Sequence, residues 1–195
     1  MKPIGVLSLQ GDFREHLLTF EKLGISTVRV RKPEDLEGIS GLVIPGGEST
    51  VIDKLSKIYQ IREPLIQKIK AGFPVFGTCA GLILLADEIL DGTPTQETFG
   101  GLDVVVRRNA FGSQVDSFEE DVVFQGIDSP VHAAFIRAPI VKKVGSAVSV
   151  LASLSDGTIV GVRQGNLLGI SFHPEVTGES AVHSYFADMC KAADF

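Results

Sequence analysis

The sequence predicts an α/β fold in which an open, mostly parallel sheet is flanked by helices and carries added antiparallel strands. In the first half of the chain, short apolar runs alternate with segments of helical periodicity, which is typical of parallel strands joined by helices. After residue 91, turn residues separate shorter apolar runs, which is typical of antiparallel strands. We expect a single domain over residues 1–195, because 195 residues suffice for a sizeable core and the chain shows no repeat or linker.

The first half supplies the parallel part of the predicted sheet. Strands are expected at residues 4–9, 26–30 and 41–45, and a fourth strand ends at Val75 and Phe76. Helical segments are expected between them, at residues 13–23, 33–37, 51–59 and 61–71. This β-α-β-α-β order places helices on both faces of the sheet.

The second half adds shorter strands. Candidate strands cover residues 102–106, 121–124, 131–136, 147–154, 158–162 and 167–172. Asp156 and Gly157 lie between two of these apolar runs, and an Asp-Gly pair in that position favours a hairpin. Apolar residues at helical spacing between residues 180 and 191 predict a closing helix.

Charge and composition argue against several classes of function. The formal net charge of −6 gives no support to binding of nucleic acid or of an anionic membrane. No apolar run approaches the roughly 18 residues of a membrane span, and the first apolar run is too short for a signal peptide. Two cysteines do not make a disulfide framework, so a reducing compartment is the default. We therefore expect a cytoplasmic protein.

Residues 77–81, which read Gly-Thr-Cys-Ala-Gly, are the first candidate for chemistry. They follow a β-favouring apolar pair and precede residues 82–88, an apolar run with two acids that we expect to be a helix. Small residues two before and two after a side chain allow a sharp strand-to-helix turn that exposes it. Cys79 would then be a nucleophile whose thiolate is favoured by the helix N-terminus. The alternative is a small buried cysteine in a glycine-rich turn.

A second candidate stretch, residues 167–175, reads Leu-Leu-Gly-Ile-Ser-Phe-His-Pro-Glu. On an extended backbone, His173 and Glu175 would point to the same face, about 6–7 Å apart along the chain. Glu175 could then hydrogen-bond one imidazole nitrogen and leave the other for a partner, while Pro174 limits the movement of the pair. A cysteine, a histidine and an acid that orients the histidine form a generalised catalytic triad. A lone histidine at a strand end is more often structural, but the cysteine turn in the same chain favours the triad.

Residues 46–50, which read Gly-Gly-Glu-Ser-Thr, follow the third predicted strand. Two glycines at the carboxyl end of a parallel strand let the backbone approach a ligand, and ligands bind at that edge of an open α/β sheet. The residues also fit a plain turn in which Ser49 or Thr50 caps the next helix, and both interpretations can hold together. The stretch is not a nucleotide-binding P-loop, because the Gly-Lys-Ser/Thr element is missing.

Several other residues of reactive types can be explained by packing or by exposure to solvent, whether or not they also have a function. Cys190, on the closing helix, is expected to be a buried structural residue. His16 and His183, on the first and last helices, are expected to lie on the surface or to take part in packing. Arg108 and Arg137 stand near apparent strand ends, where each is either solvated or recognises a small carboxylate.

These residues resemble the class I, triad-type glutamine amidotransferases, whose motifs are the cysteine turn and the His-Pro-Glu stretch. A narrower resemblance to the glutaminase subunits of pyridoxal 5′-phosphate synthases rests on residues 9–11, 14–16, 46–50, 108–112 and 135–139. The resemblance covers about residues 4–187 and implies a three-layer, flavodoxin-like fold. Ser113 departs from it, because a basic residue is expected there.

The resemblance implies an enzyme that hydrolyses L-glutamine to L-glutamate and ammonia through a thioester. Cys79 would be the nucleophile, His173 its base and Glu175 the acid that orients the base. The backbone N–H groups of Gly47 and Ala80 would form the oxyanion hole. Six residues would contact glutamine, namely Gly47, Glu48, Ser49, Arg108, Ile136 and Arg137.

The resemblance also implies a partner. Ammonia would pass through a tunnel to a separate barrel-shaped synthase subunit of the same hetero-oligomer. That subunit would combine the ammonia with ribose 5-phosphate and glyceraldehyde 3-phosphate to make pyridoxal 5′-phosphate. No metal ion or organic cofactor is expected on the chain itself.

Three alternatives remain open. The chain could be a glutaminase subunit of another synthase, such as that of imidazole glycerol phosphate, because such subunits share the triad. It could be a cysteine hydrolase of the α/β-hydrolase class, although there the acid normally precedes the histidine, whereas Glu175 follows it. It could be a catalytically silent binding subunit, but a complete set of Cys79, His173 and Glu175 argues against that.

Overall fold

The computed structural model describes residues 2–93, 95–108 and 117–195. The strands of its first half are β1 (Ile4–Leu7), β2 (Thr27–Val30), β3 (Gly41–Ile44), β4 (Val75–Thr78) and β5 (Ala86–Ile89). The helices there are α1 (Phe13–Lys22), α2 (Ser49–Ile58), α3 (Arg62–Lys70) and α4 (Ala80–Leu85), with a 3₁₀ turn at Pro33–Leu36. The second half holds β6 (Leu102–Arg107), β7 (Phe118–Val122), β8 (Val131–Phe135), β9 (Ile140–Val144), β10 (Ser149–Ser153), β11 (Ile159–Gln164) and β12 (Leu167–Ile170), then α5 (Pro174–Thr177) and α6 (Ala181–Ala193).

One large sheet organises the molecule. Its strands follow the order β2-β1-β3-β4-β12-β11-β9-β6-β5, and β10 pairs with the side of β11. The strands from β2 to β12 are parallel neighbours, whereas β12, β11, β9 and β6 pair antiparallel. Strands β7 and β8 form a separate two-stranded antiparallel sheet. The predicted fold class, a mostly parallel sheet with added antiparallel strands, is confirmed.

Helices cover both faces of the parallel part of the sheet. Strands β1, β3, β4 and β12 are buried along their whole length, as parallel strands with two covered faces are. On one face, α2, α3 and α4 contribute Ile52, Leu65 and Leu84 to one apolar cluster. On the other face, Phe20 of α1 and Phe186 of α6 belong to a second cluster. The three-layer arrangement is therefore present.

The insertion of β12 beside β4 is the feature that positions the site. These two strands are distant in sequence but parallel, and Ile170 pairs with Thr78 in register. The N–H of Cys79 donates to the carbonyl of Ile170 at 2.8 Å. Both strands therefore end at the same edge of the sheet, where open α/β folds bind their ligands.

The structure differs from the prediction at two strands. The helix after Cys79 ends at Leu85, whereas Asp87 and Glu88 lie in β5 and are exposed. Pairing of β5 with β6 overrides the helical preference of this apolar run, as tertiary context commonly does. The sequence pattern does not predict β9, because two exposed lysines interrupt its apolar residues.

Two further expectations concern other parts of the chain. None of the helices in the described ranges combines the length and the apolar character that a membrane span requires. The stretch that follows Arg108, including the departure at Ser113, lies outside the described residues.

Candidate active site

Cys79 stands on a sharp turn between β4 and α4. Its backbone adopts φ 49° and ψ −99°, a conformation that is strained for a residue with a Cβ. A Cβ on Gly77 would collide with the backbone of Gly81, and a Cβ on Gly81 would collide with the carbonyl of Ile44. Both glycines are therefore required for the chain to turn this tightly. The strand-to-helix turn predicted for residues 77–81 is present.

His173 and Glu175 meet in a different way from the predicted one. The chain does not stay extended, because Pro174 starts the short helix α5, where the missing N–H of proline is tolerated. This turn brings Glu175 Oε1 to 2.8 Å from His173 Nδ1, which donates the hydrogen bond. Both side chains are buried. The predicted contact is thus present, although the predicted extended backbone is wrong.

The partners of His173 favour its protonated form. Burial by itself lowers the pKa of His173, but hydrogen bonds with Cys79 and Glu175 outweigh burial and raise the pKa to about 11. Burial raises the pKa of Glu175, and the hydrogen bond from His173 opposes that rise. An imidazolium beside Cys79 stabilises a thiolate, which is the nucleophilic form of cysteine.

The glycine pair after β3 packs directly against this histidine. A Cβ on Gly46 would collide with the imidazole ring of His173, so no other residue fits there without a shift. Gly47 has φ +148°, and a Cβ on it would lie 2.6 Å from Gln10 Oε1. The N–H of Glu48 donates to the same Gln10 oxygen at 2.8 Å. The loop after β1 therefore supports the loop after β3 at the site.

A cavity of about 400 Å³ opens beside Cys79 and His173, a size suited to a small molecule. Its wall includes all six residues predicted to contact glutamine, namely Gly47, Glu48, Ser49, Arg108, Ile136 and Arg137. Ala80, the second predicted oxyanion donor, is not among the lining residues, and its side chain is buried at the start of α4.

Three of these residues form one hydrogen-bonded wall. Arg108 Nη2 donates to Glu48 Oε1 at 3.2 Å, and Arg108 Nη1 donates to Gln96 Oε1 at 2.8 Å. The amide of Gln96 in turn donates to Ser49 Oγ at 2.9 Å. The end of β6 is thereby joined to the start of α2, and the charges of Arg108 and Glu48 face the cavity as a pair.

Sequence reasoning does not predict a site role for every residue that lines the cavity. Five further lining residues are Gln10, Gly11, Asp12, Ile83 and Val176. The Leu-Gln-Gly stretch at residues 9–11 follows a parallel strand, so its position at the ligand-binding edge was a usable signal. Ile83 and Val176 carry no such signal, because apolar residues of these types are common throughout a core.

Asp12, His173 and Glu175 also form a group whose ligand atoms lie within 4.8 Å of one another. Such a group has the residue types of a metal site. However, His173 Nδ1 and Glu175 Oε1 are already hydrogen-bonded to each other, and Asp12 Oδ2 lies 3.7 Å from the same nitrogen. Burial raises the pKa of Asp12. The geometry therefore fits a histidine oriented by acids.

The structure shows the positions of three residues for which the sequence predicts no catalytic role. Cys190 is buried, as expected, and burial raises the pKa of its thiol to about 12. His16 and His183 are fully buried, so of the two expectations for them packing is right and a surface position is wrong. His16 Nδ1 and His183 Nε2 are 2.8 Å apart.

The fold and the sheet edge described above define a glutamine amidotransferase. A solved structure described as a glutamine amidotransferase matches this chain with a TM-score of 0.91 and 49% identity, covering 96% of this chain and 98% of that one. More particularly, the chain belongs to the SNO glutamine amidotransferase family, whose model matches residues 6–192.

Close relatives extend over nearly the whole chain. A Clavibacter sepedonicus protein described as "Pyridoxal 5'-phosphate synthase subunit PdxT" is 61% identical over 191 residues, 97% of this chain and 91% of the relative. A Nocardioides sp. protein with the same description is 56% identical over 190 residues, 95% of this chain and 94% of the relative. The family resemblance drawn from the five short stretches is thereby confirmed.

Proposed function

We propose that this chain hydrolyses L-glutamine to L-glutamate and ammonia, and supplies the ammonia to a synthase subunit that makes pyridoxal 5′-phosphate. The observation that carries this function is the position of Cys79 and the His173–Glu175 pair at one cavity. The family and the description of the relatives give the substrate and the pathway.

In the first step, the Cys79 thiolate attacks the side-chain amide carbon of glutamine. The negative charge that develops on the amide oxygen is stabilised by the N–H groups of Gly47 and Ala80, each such donor contributing about 2.7–4 kcal/mol. The His173 imidazolium gives its proton to the amide nitrogen, the carbon–nitrogen bond breaks, and ammonia leaves. A thioester between Cys79 and the glutamyl group remains.

In the second step, His173 is neutral and acts as the base. It takes a proton from water, the resulting hydroxide attacks the thioester carbon, and the carbon–sulfur bond breaks. Glutamate leaves, and the thiolate and imidazolium are restored. Glu175 holds the ring in one orientation in both steps through its bond to Nδ1.

The charged wall of the cavity suits an α-amino acid. Free glutamine carries one carboxylate and one ammonium group, and the wall presents an arginine and a glutamate side by side. We assign Arg108 and Arg137 to the carboxylate, because guanidinium groups bind carboxylates in a planar, bidentate manner. Glu48 is assigned to the ammonium group, with Gly47, Ser49 and Ile136 completing the contacts.

The synthase partner is assigned as a barrel-shaped subunit that receives ammonia through a tunnel in a hetero-oligomer. On this chain, residues 1–195 act as one glutaminase domain, and the two steps above need neither a metal ion nor an organic cofactor. We expect the protein to act in the cytoplasm, where its free thiols stay reduced.

Docking of the partner is expected to activate the chain. If the Gly47 N–H is an oxyanion donor, its peptide must point into the cavity, and a glycine can change its backbone conformation at little cost. A partner that fixes this peptide completes the oxyanion hole, and one such donor is worth about 10²–10³-fold in rate.

The test is steady-state release of glutamate by the pure chain, and then by the chain saturated with its synthase subunit. We expect release in the complex and a gain of about 10²–10³-fold over the free chain. Absence of glutamate release from the complex would contradict the glutaminase function. Equal rates in the two assays would contradict only the activation through Gly47.

A further inference from the structure

Behind Glu175 lies a buried polar pair that the two catalytic steps do not use. His16 of α1 and His183 of α6 are both fully buried, although their helices are far apart in sequence. Their nearest nitrogens, His16 Nδ1 and His183 Nε2, are 2.8 Å apart. The rings of Phe20 and Phe76 pack edge-on against His183. Because two imidazoles in an apolar core need partners, their position beside the site requires an explanation.

The other nitrogen of His16 faces the site. His16 Nε2 lies 3.2 Å from the hydroxyl of Thr78, the residue directly before Cys79. The same nitrogen lies 3.6 Å from Glu175 Oε1, the oxygen that accepts the hydrogen bond from His173. That distance is too long for a hydrogen bond, but a charge and a dipole in a buried environment interact strongly across it.

The protonation of the two rings follows from their partners. We assign the hydrogen of His16 to Nε2, because the carboxylate oxygen that this nitrogen faces can only accept, and the Thr78 hydroxyl can accept as well as donate. Burial and the neighbouring His183 and His173 hold the pKa of His16 well below its usual range, so its Nδ1 carries a lone pair. His183 Nε2 then donates to it. His183 Nδ1 is left without a hydrogen, in agreement with its lack of a hydrogen-bond partner among the described residues.

We propose that His16 is a positioning residue for the hydrolysis of glutamine, which acts through Glu175 and is itself held in place by His183. The inference rests on the proposed function for its effect on turnover. His16 directs an N–H dipole at the buried carboxylate and fills the space behind it. Glu175 Oε2 has no hydrogen-bond partner among the described residues, so the environment of Oε1 decides how well this charge is supported.

The consequence reaches Cys79 through two contacts. Burial raises the pKa of Glu175. An N–H dipole directed at a carboxylate from 3.6 Å favours the ionised form, and this is the contribution that the proposal gives to His16. An ionised Glu175 keeps His173 protonated and oriented beside Cys79, the proposed nucleophile. Loss of His16 is therefore expected to resemble a weaker form of the loss of the Glu175 charge.

The first test is kinetic and uses the complex with the synthase subunit. His16→Phe keeps a ring of similar size and removes the N–H dipole, so kcat should fall about tenfold, the effect of roughly one pKa unit at Glu175, with KM within about twofold. His16→Gln restores a donor and should recover most of this loss. Leu17→Ala, on the same helix, removes apolar packing but no hydrogen bond, and should leave kcat within about twofold.

The decisive measurement is a double-mutant cycle with Glu175→Gln. If His16 acts through the carboxylate, His16→Phe has no further effect on kcat once that charge is gone. If the full loss persists in the Glu175→Gln background, the proposal is overturned. Thr78→Val separates the other contact of His16. A His16→Phe loss of the same size in that background would exclude Thr78 as the route, whereas no further loss would assign the effect to Thr78 and overturn the proposal.

A second readout does not depend on glutamine. The rate at which iodoacetamide alkylates Cys79 in the free chain, followed by mass spectrometry of its peptide, reports the thiolate. This rate should fall about tenfold in His16→Phe, and the double variant with Glu175→Gln should react no more slowly than Glu175→Gln alone. An unchanged rate in a folded His16→Phe protein overturns the proposal, whereas a wild type that alkylates but does not hydrolyse glutamine overturns only the proposed function. Should His16→Phe fail to fold, His183→Phe removes the donor to His16 and should lower both readouts in the same sense.

Discussion

His173 and His183 are both buried histidines, yet their surroundings move the pKa in opposite directions. Hydrogen bonds with Cys79 and Glu175 overcome burial and raise the pKa of His173 to about 11. Burial lowers the pKa of His183 to about 3. His183 meets a neutral imidazole and aromatic rings, whereas His173 meets a thiol and a carboxylate.

The difference shows that burial alone does not set the charge of a histidine in this protein. Desolvation disfavours the charged form of every buried imidazole ring. Such a ring is protonated only where an acidic side chain lies close enough to accept a hydrogen bond from it. The same core therefore holds a charged histidine at the sheet edge and a neutral pair behind it. Substitutions at these residues and their partners can remove one side of this comparison at a time.

The largest effect is expected from Cys79→Ala, which removes the thiol partner of His173. Glutamine hydrolysis should fall below about one per cent of the wild-type rate, because a triad acts as a unit. Glutamate release by the complex measures it, and circular dichroism checks the fold. Cys190→Ala is the matched control, since Cys190 is the other buried cysteine and lies away from the cavity. Residual activity above that level in Cys79→Ala would refute the nucleophile.

His173→Asn should be nearly as damaging as the loss of the thiol. Asparagine can keep a hydrogen bond but neither gives nor takes the proton that both steps require. The matched variant is His183→Asn, which changes the other buried histidine and should retain far more activity. Steady-state kinetics of the two complexes compare them directly, and full activity in His173→Asn would remove the histidine from the mechanism.

Glu175→Gln should be milder, by roughly a hundredfold in kcat relative to loss of the nucleophile. The amide keeps the shape of the side chain but no longer carries the charge that raises the pKa of His173, so that pKa should fall. Titration of the His173 ring by NMR measures the shift. An unchanged pKa would mean that Glu175 does not support the imidazolium.

The smallest effect concerns stability in acid. The pKa of His183 is lowered in the folded chain, so the unfolded chain binds more protons between about pH 6.5 and pH 3. This contribution to the free energy of unfolding is present above pH 6.5 and is lost as the pH falls toward 3. Denaturant unfolding at several pH values should show a slope for wild type that exceeds the slope for His183→Phe by up to about 1.4 kcal/mol per pH unit. Equal slopes would mean that His183 is charged in the folded chain.

The local sequence determined most of the strands and helices and the tight turn at Cys79. Period, glycine spacing and residue type act over a few residues, so the turn at 77–81 and the loop at 46–50 can be recognised without any other part of the chain. The same patterns predicted the parallel sheet, because alternating strands and helices have few ways to pack. Short sequence motifs were also enough to predict the family to which the chain belongs.

The tertiary structure decided which residues that are distant in sequence come into contact. Only the insertion of β12 beside β4 brings His173 to Cys79, although nearly a hundred residues separate them in sequence. The extended backbone expected between His173 and Glu175 is replaced by a helical turn, and β5 forms because β6 lies beside it. The buried contact of His16 with His183 could not be inferred from sequence, because its partners come from opposite ends of the chain. Burial and charge are properties of these assembled contacts, and no local pattern specifies them.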